Sequence, residues 1–123
     1  MPALKLLDHI ELYGVFSRDA SISKKYSEDF GCKTWNSYEE MLKEKDLDII
    51  YVSTPPGIHA NMGNKILGAN KHFWCEKPFT TNYEDTKSII KLADSKNLTV
   101  AEGFMYFHHP QFKKIQNFFL SNE

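Results

Sequence analysis

The stretch Phe73–Asp85, "FWCEKPFTTNYED", runs apolar through Phe73, Trp74 and Cys75 and then breaks into Glu76-Lys77-Pro78. A short apolar run closed by a proline is a strand that stops, because proline cannot donate a ladder hydrogen bond. Asn82 follows four residues later and reads as the cap of a helix with an apolar stripe at Ile89, Ile90 and Ala93. Asn97 ends that helix, and a further strand is expected over Leu98–Ala101. This strand, turn, helix, strand order sets the expectation for the whole chain.

Outward from this stretch the same alternation repeats. Strands are expected over Leu12–Phe16, Lys33–Trp35, Asp48–Ser53 and His72–Cys75. They lack strict polar alternation, as expected for strands covered on both faces. Helices are expected over Ala20–Phe30, closed by Gly31, and from Ser37 to about Lys45, where Ser37 and Glu40 form a capping box. Ala60–Ala69, closed by Asn70, and a last stretch opened by Pro110 complete the set. Alternating strands and helices predict an α/β fold with a doubly wound parallel sheet.

Composition narrows the function. The 123 residues are 41% hydrophobic and 25% charged with a net charge of -1, which is ordinary for one globular domain and wrong for a dedicated nucleic-acid binder. The longest apolar runs are too short for a membrane helix, and the start has no secretory pattern. Cys32 and Cys75 are too few and too distant for a disulfide framework or a zinc site, so reduced thiols in the cytoplasm are expected. His108 and His109 are adjacent and make a poor chelating pair, so no metal is expected.

In open parallel sheets ligands bind beyond the carboxyl ends of the strands. Here those ends are Ser17-Arg18-Asp19, Ser53–His59, Glu76-Lys77-Pro78 and Glu102–Pro110. Lys77 stands beside Phe73, Trp74 and Phe79, where desolvation favours a neutral amine able to relay a proton. Read alone it is a solvated turn residue. An Arg after the second strand of a dinucleotide fold accommodates a 2′-phosphate, so Ser17 and Arg18 lean toward NADP over NAD. His59 has two readings, one bonding a backbone group and one lining a cofactor pocket.

The four segments "FSRD", "DIIYVSTPPGIHANM", "KHFWCEKPFTTNYEDTKSII" and "EGFMYFHHPQF" together resemble, in order, the signatures of the glucose–fructose oxidoreductase and inositol dehydrogenase (Gfo/Idh/MocA) family. The resemblance implies a Rossmann-like domain and hydride transfer between NADP or NAD and a sugar- or polyol-like hydroxyl or carbonyl. It implies that Lys77 is catalytic, with a Lys77–Pro78 bond that is cis. Glu76, Lys77, Pro78, Thr54, Pro55 and His59 match positions along the dinucleotide. Ser17 and Arg18 match its adenosine-ribose end, and Glu102 lies near the nicotinamide.

The chain departs from that pattern at both ends. No first strand or Gly-rich turn is found, and "MPALKLLDHI" resembles the end of a first helix. The absent strand would be central, between the Leu12 and Asp48 strands. The second domain is also absent, and Phe107 stands where relatives often carry Arg. The expectation is therefore a fragment: residues 1–106 a partial dinucleotide-binding domain, residues 107–123 a segment leading to the missing domain. Its expected partners are a small sugar or polyol and, through exposed strand edges, further copies of the chain, with no nucleic acid and no membrane. A noncatalytic binding or regulatory remnant of the same fold is the alternative. A degenerate receiver domain fits less well, since its phosphoacceptor position reads Tyr51 or Ser53 and the strand Leu98–Ala101 follows where a receiver ends.

Overall fold

The computed structural model describes residues 6–121, so the first half of the helix end expected over residues 1–10 lies outside the described residues, and residues 6–10 form turns and no α-helix. The chain forms two compact units, Met1–Asp48 and Ile49–Glu123. The strands form two parallel sheets, one in each unit.

In the first unit β1 (Gly14–Val15) pairs with β2 (Lys33–Thr34), Gly14 opposite Lys33. Between them runs α1 (Ala20–Phe30), and α2 (Tyr38–Leu42) follows β2. The strands are shorter than expected because the pairing leaves only two residues of each in register. Glycine at position 14 is a packing necessity: a Cβ there would sit 2.5 Å from the Trp35 ring and 2.6 Å from the Lys33 carbonyl oxygen. α1 matches its expected span. Asp19 caps it by accepting from the Ser21 backbone N–H at 2.9 Å, and Gly31 closes it at φ 66°. α2 starts as expected on Ser37, whose hydroxyl accepts from the Glu40 N–H at 3.0 Å. The Glu40 carboxylate reaches back one residue further than expected, to the Asn36 N–H at 3.1 Å. The helix stops at Leu42, short of Lys45.

In the second unit β3 (Ile49–Val52), β4 (His72–Cys75) and β5 (Val100–Glu102) form a parallel sheet in that order. The connections are α3 (His59–Gly68) and α4 (Tyr83–Ser95), and α5 (Pro110–Leu120) ends the described chain. Asn82 caps α4 by accepting from the Asp85 N–H at 2.9 Å. Asn70 and Asn97 both take positive φ after their helices, 59° and 54°, which asparagine tolerates. His109 accepts from the Gln111 N–H at 3.2 Å and so caps α5.

The core of this unit is the face of Ile50, Val52, Phe73 and Cys75, met by Ile66 and Leu67 of α3 and Ile89 and Ala93 of α4. Phe73 is fully buried, worth about 1.5–3 kcal/mol of transfer free energy. Gly63 lets α3 approach it, since a Cβ there would lie 2.6 Å from the Phe73 ring. The opposite face departs from expectation. Ile49, Tyr51 and Trp74 are 48%, 45% and 39% exposed, so burial alternates along β3 instead of covering both faces. No helix among the described residues is long and apolar enough to cross a membrane.

Candidate active site

The turn Glu76–Phe79 leaves the carboxyl end of β4 and is fastened on four sides within the second unit. The Glu76 N–H donates to the Val52 carbonyl at 2.9 Å. The Glu76 carboxylate accepts from the Tyr51 hydroxyl. A ring nitrogen of His59, Nδ1, lies 3.0 Å from the Pro78 carbonyl oxygen. The Phe79 N–H donates to the Glu102 carboxylate at 2.7 Å. The strand register explains the convergence: Val52, Cys75 and Glu102 are consecutive partners across β3, β4 and β5, so their carboxyl ends share one rim. The Lys77–Pro78 bond is cis, as the resemblance implies.

Lys77 sits in the middle of this frame. It is exposed, and among the described residues it has no hydrogen bond or ion pair. The apolar enclosure expected from its neighbours is not provided by them. Phe73 is directed into the core, where it packs against Phe79 with ring centroids 5.6 Å apart, and Trp74 packs at a tilt against Tyr51 on the open face.

His59 is fully buried, with Nδ1 on the Pro78 carbonyl and Nε2 2.8 Å from the Thr54 carbonyl oxygen. Of its two sequence readings the geometry fits the backbone-bonding one: the ring joins the loop after β3 to the turn after β4. Thr54 turns its hydroxyl toward the Met62 sulfur at 3.6 Å, and Pro55 precedes a 3-10 turn, Pro56–Ile58, that leads into α3. Among the described residues no side chain caps the N-terminus of α3. Glu102 is committed by one oxygen to the turn backbone.

Ser17 and Arg18 belong to the first unit. The Ser17 N–H donates to the buried Ser23 hydroxyl at 2.7 Å, and the Ser17 hydroxyl accepts from the Asp19 N–H at 3.2 Å. Arg18 is exposed and, among the described residues, unpaired.

Tyr51 and Cys75 complete the rim chemistry. Partial burial and then the Glu76 carboxylate push the Tyr51 hydroxyl up to about 12, so it remains a donor at neutral pH. Burial, reinforced by Glu102 and Glu76, pushes the Cys75 thiol up to about 11, which makes it inert as a nucleophile. Sequence reasoning passed over Tyr51. Only the strand register reveals it: Tyr51 faces Trp74, and Glu76 lies two residues on, on the same side of the pleat.

Within the second unit, the exposed Lys77 amine is a donor type that phosphate and ribose groups take, and within the first unit the exposed Arg18 guanidinium is another. The glycines stand at 14, 31, 57, 63, 68 and 103, and no two have the spacing of a Gly-rich pyrophosphate turn.

Residues 1–104 match the family model described as "Oxidoreductase family, NAD-binding Rossmann fold" (GFO_IDH_MocA). The chain is 34% identical over 123 residues to dTDP-3,4-didehydro-2,6-dideoxy-alpha-D-glucose 3-reductase of Saccharopolyspora spinosa, covering 100% of this chain and 37% of that protein. It is 31% identical over 111 residues to D-xylose 1-dehydrogenase (NADP(+)) 2 of Haloferax volcanii, covering 89% and 34%. Among solved structures it is similar to KijD10, a 3-ketoreductase from Actinomadura kijaniata in complex with NADP and TDP-benzene. That match has TM-score 0.91 and 31% identity, covering 98% of this chain and 37% of the other. The chain thus spans little more than a third of the length of these relatives.

Proposed function

The chain belongs to the Gfo/Idh/MocA oxidoreductase family, with its NAD-binding Rossmann fold, and on that premise we propose that it is part of an NADP-preferring enzyme acting on a sugar or polyol. Bound nicotinamide would supply the hydride chemistry. The chain's own task is to position groups and to move a proton. Lys77 gives a proton to the oxygen of a carbonyl substrate, or accepts one from a hydroxyl in the reverse direction. Glu76, Pro78, Thr54 and Pro55 shape the rim along the dinucleotide, and Glu102 holds the turn beside the nicotinamide position. His59 acts at one remove, by tying the Thr54 and Pro78 carbonyls together. Ser17 and Arg18 receive the adenosine ribose and its 2′-phosphate.

One observation carries this reading: among the described residues Lys77 has no internal partner, on a turn where the Glu76 carboxylate, the Pro78 carbonyl and the Phe79 N–H are each bonded. A relay needs a fixed backbone and an uncommitted amine, and this turn offers both. Residues 1–106 act as the dinucleotide-binding part and residues 107–123 as the segment leading onward. The unpaired Cys32 and Cys75 fit a cytoplasmic setting. β3 is an edge strand, the feature through which further copies of the chain would associate.

The test is Lys77→Ala in a protein of the relatives' length that carries this segment. Turnover should fall by roughly 10²–10⁴-fold, the range for a lost general acid–base group, while NADPH affinity changes by less than about tenfold. Equal losses in turnover and in NADPH affinity would remove the relay role.

A further inference from the structure

Two neighbouring strands bring three side chains together on the open face of the second sheet. Tyr51 of β3 and Trp74 of β4 are register partners, and their rings lie 4.7 Å apart at 55°. Glu76 is two residues past Trp74, so the pleat returns it to the same face, and its carboxylate accepts the Tyr51 hydroxyl. With its N–H also bonded to the Val52 carbonyl at 2.9 Å, Glu76 is fixed at backbone and side chain. Lys77 is the next residue, yet no ion pair forms between the two.

We propose that Tyr51 is a positioning residue, whose hydroxyl holds the Glu76 carboxylate on the Tyr51–Trp74 face and away from Lys77, leaving the lysine amine for a substrate oxygen. The inference rests on the reading of Lys77 as the relay and adds the device that keeps it uncommitted. A carboxylate within about 4–6 Å of an amine favours the charged form and takes up one of its donors. A phenol hydrogen bond satisfies the carboxylate without bringing another charge into the turn.

The test reads amine reactivity in the 123-residue chain itself. A water-soluble N-hydroxysuccinimide ester acylates unprotonated, unpaired amines, and mass spectrometry at short times gives a rate for each lysine. Tyr51→Phe removes the donor and keeps the ring on Trp74. Lys77 labelling should fall by about threefold or more in this variant. Exposed Lys91 should be unchanged, and buried Lys71 should stay slow as a reporter of the intact fold. Adding Glu76→Gln to Tyr51→Phe should restore the Lys77 rate. Glu76→Gln alone should leave Lys77 at its original rate, because the carboxylate is already held elsewhere.

An unchanged Lys77 rate in Tyr51→Phe with Lys71 still slow overturns the proposal. So does a Lys77 rate raised by Glu76→Gln alone, which also decides the matter if Lys71 becomes fast in Tyr51→Phe. No turnover is required, so failure of the relay reading, seen in Lys77→Ala as full activity or as equal losses in turnover and NADPH affinity, is distinct from failure here.

Discussion

The Glu102 carboxylate accepts the backbone N–H of Phe79 at 2.7 Å, so the last residue of β5 anchors the turn after β4. The bond crosses from one strand end to the neighbouring connection and replaces a ladder partner the turn cannot have. Pro78 has no N–H, and Phe79 is the first residue after it able to donate. Hydrogen bonds to a charged group are worth more than neutral ones. Glu102→Ala should therefore speed hydrogen exchange at the Phe79 amide by roughly tenfold, while core amides such as Phe73 keep their protection. Equal acceleration at both would mean that Glu102 supports the whole unit and not the turn.

Gly63 and Gly68 lie in the same helix and should respond with opposite sign. A Cβ at Gly63 meets the Phe73 ring at 2.6 Å, whereas nothing lies within 4 Å of one at Gly68. Overpacking a core costs about 1–3 kcal/mol, and Ala gains up to about 1 kcal/mol over Gly in a helix. Phe73 has no exposed surface into which to retreat, so the steric cost should win at position 63. Urea midpoints should fall for Gly63→Ala and hold or rise for Gly68→Ala. An unchanged midpoint for Gly63→Ala would show that α3 can shift off the sheet at little cost.

Asp19 predicts a pH dependence in the first unit. Its carboxyl is held below the usual range, first by the Ser21 hydroxyl and then by the Ser21 backbone N–H. A carboxyl with a lowered folded-state value contributes stability above its unfolded value and loses it as pH falls through the folded one. The cap of α1 should therefore hold at neutral pH and weaken in the acid range, below the ordinary carboxylate value near 4. The Ser21 amide resonance, followed by NMR on acidification, should move with that titration. Asp19→Asn, which caps without a charge, should remove the dependence.

Much of this fold was legible because its punctuation is strong. Ser37, Asn82 and Gly31 all do in the structure what their residue types favour, since caps are decided within a few residues. The span His72–Cys75 was readable because a proline turn and an apolar run bound it. What sequence did not show depends on register. The open face of β3 follows from where helices land, which alternation within four residues cannot reveal. His59 could be placed at a helix start, but its two carbonyl partners come from loops 5 and 19 residues away. Tyr51 looked like one more strand aromatic until pairing set it beside Glu76.

Arg18 offers the sharpest check on cofactor preference. It follows β1, is exposed, and has no ion-pair partner among the described residues, which leaves its guanidinium available for a phosphate. In a protein of the relatives' length, Arg18→Ala should weaken NADPH by roughly tenfold or more, the scale of a charge-assisted bond, and leave NADH nearly unchanged. Fluorescence can report both titrations, because Trp74 lies on β4 three residues before Lys77. The 123-residue chain, whose sequence carries no Gly-rich pyrophosphate turn, should bind NADPH far more weakly than the longer protein. Equal weakening of NADPH and NADH would make Arg18 a general electrostatic contact. Submicromolar NADPH binding by the 123 residues alone would show that the uncapped start of α3 and the rim lysine hold the dinucleotide without that turn.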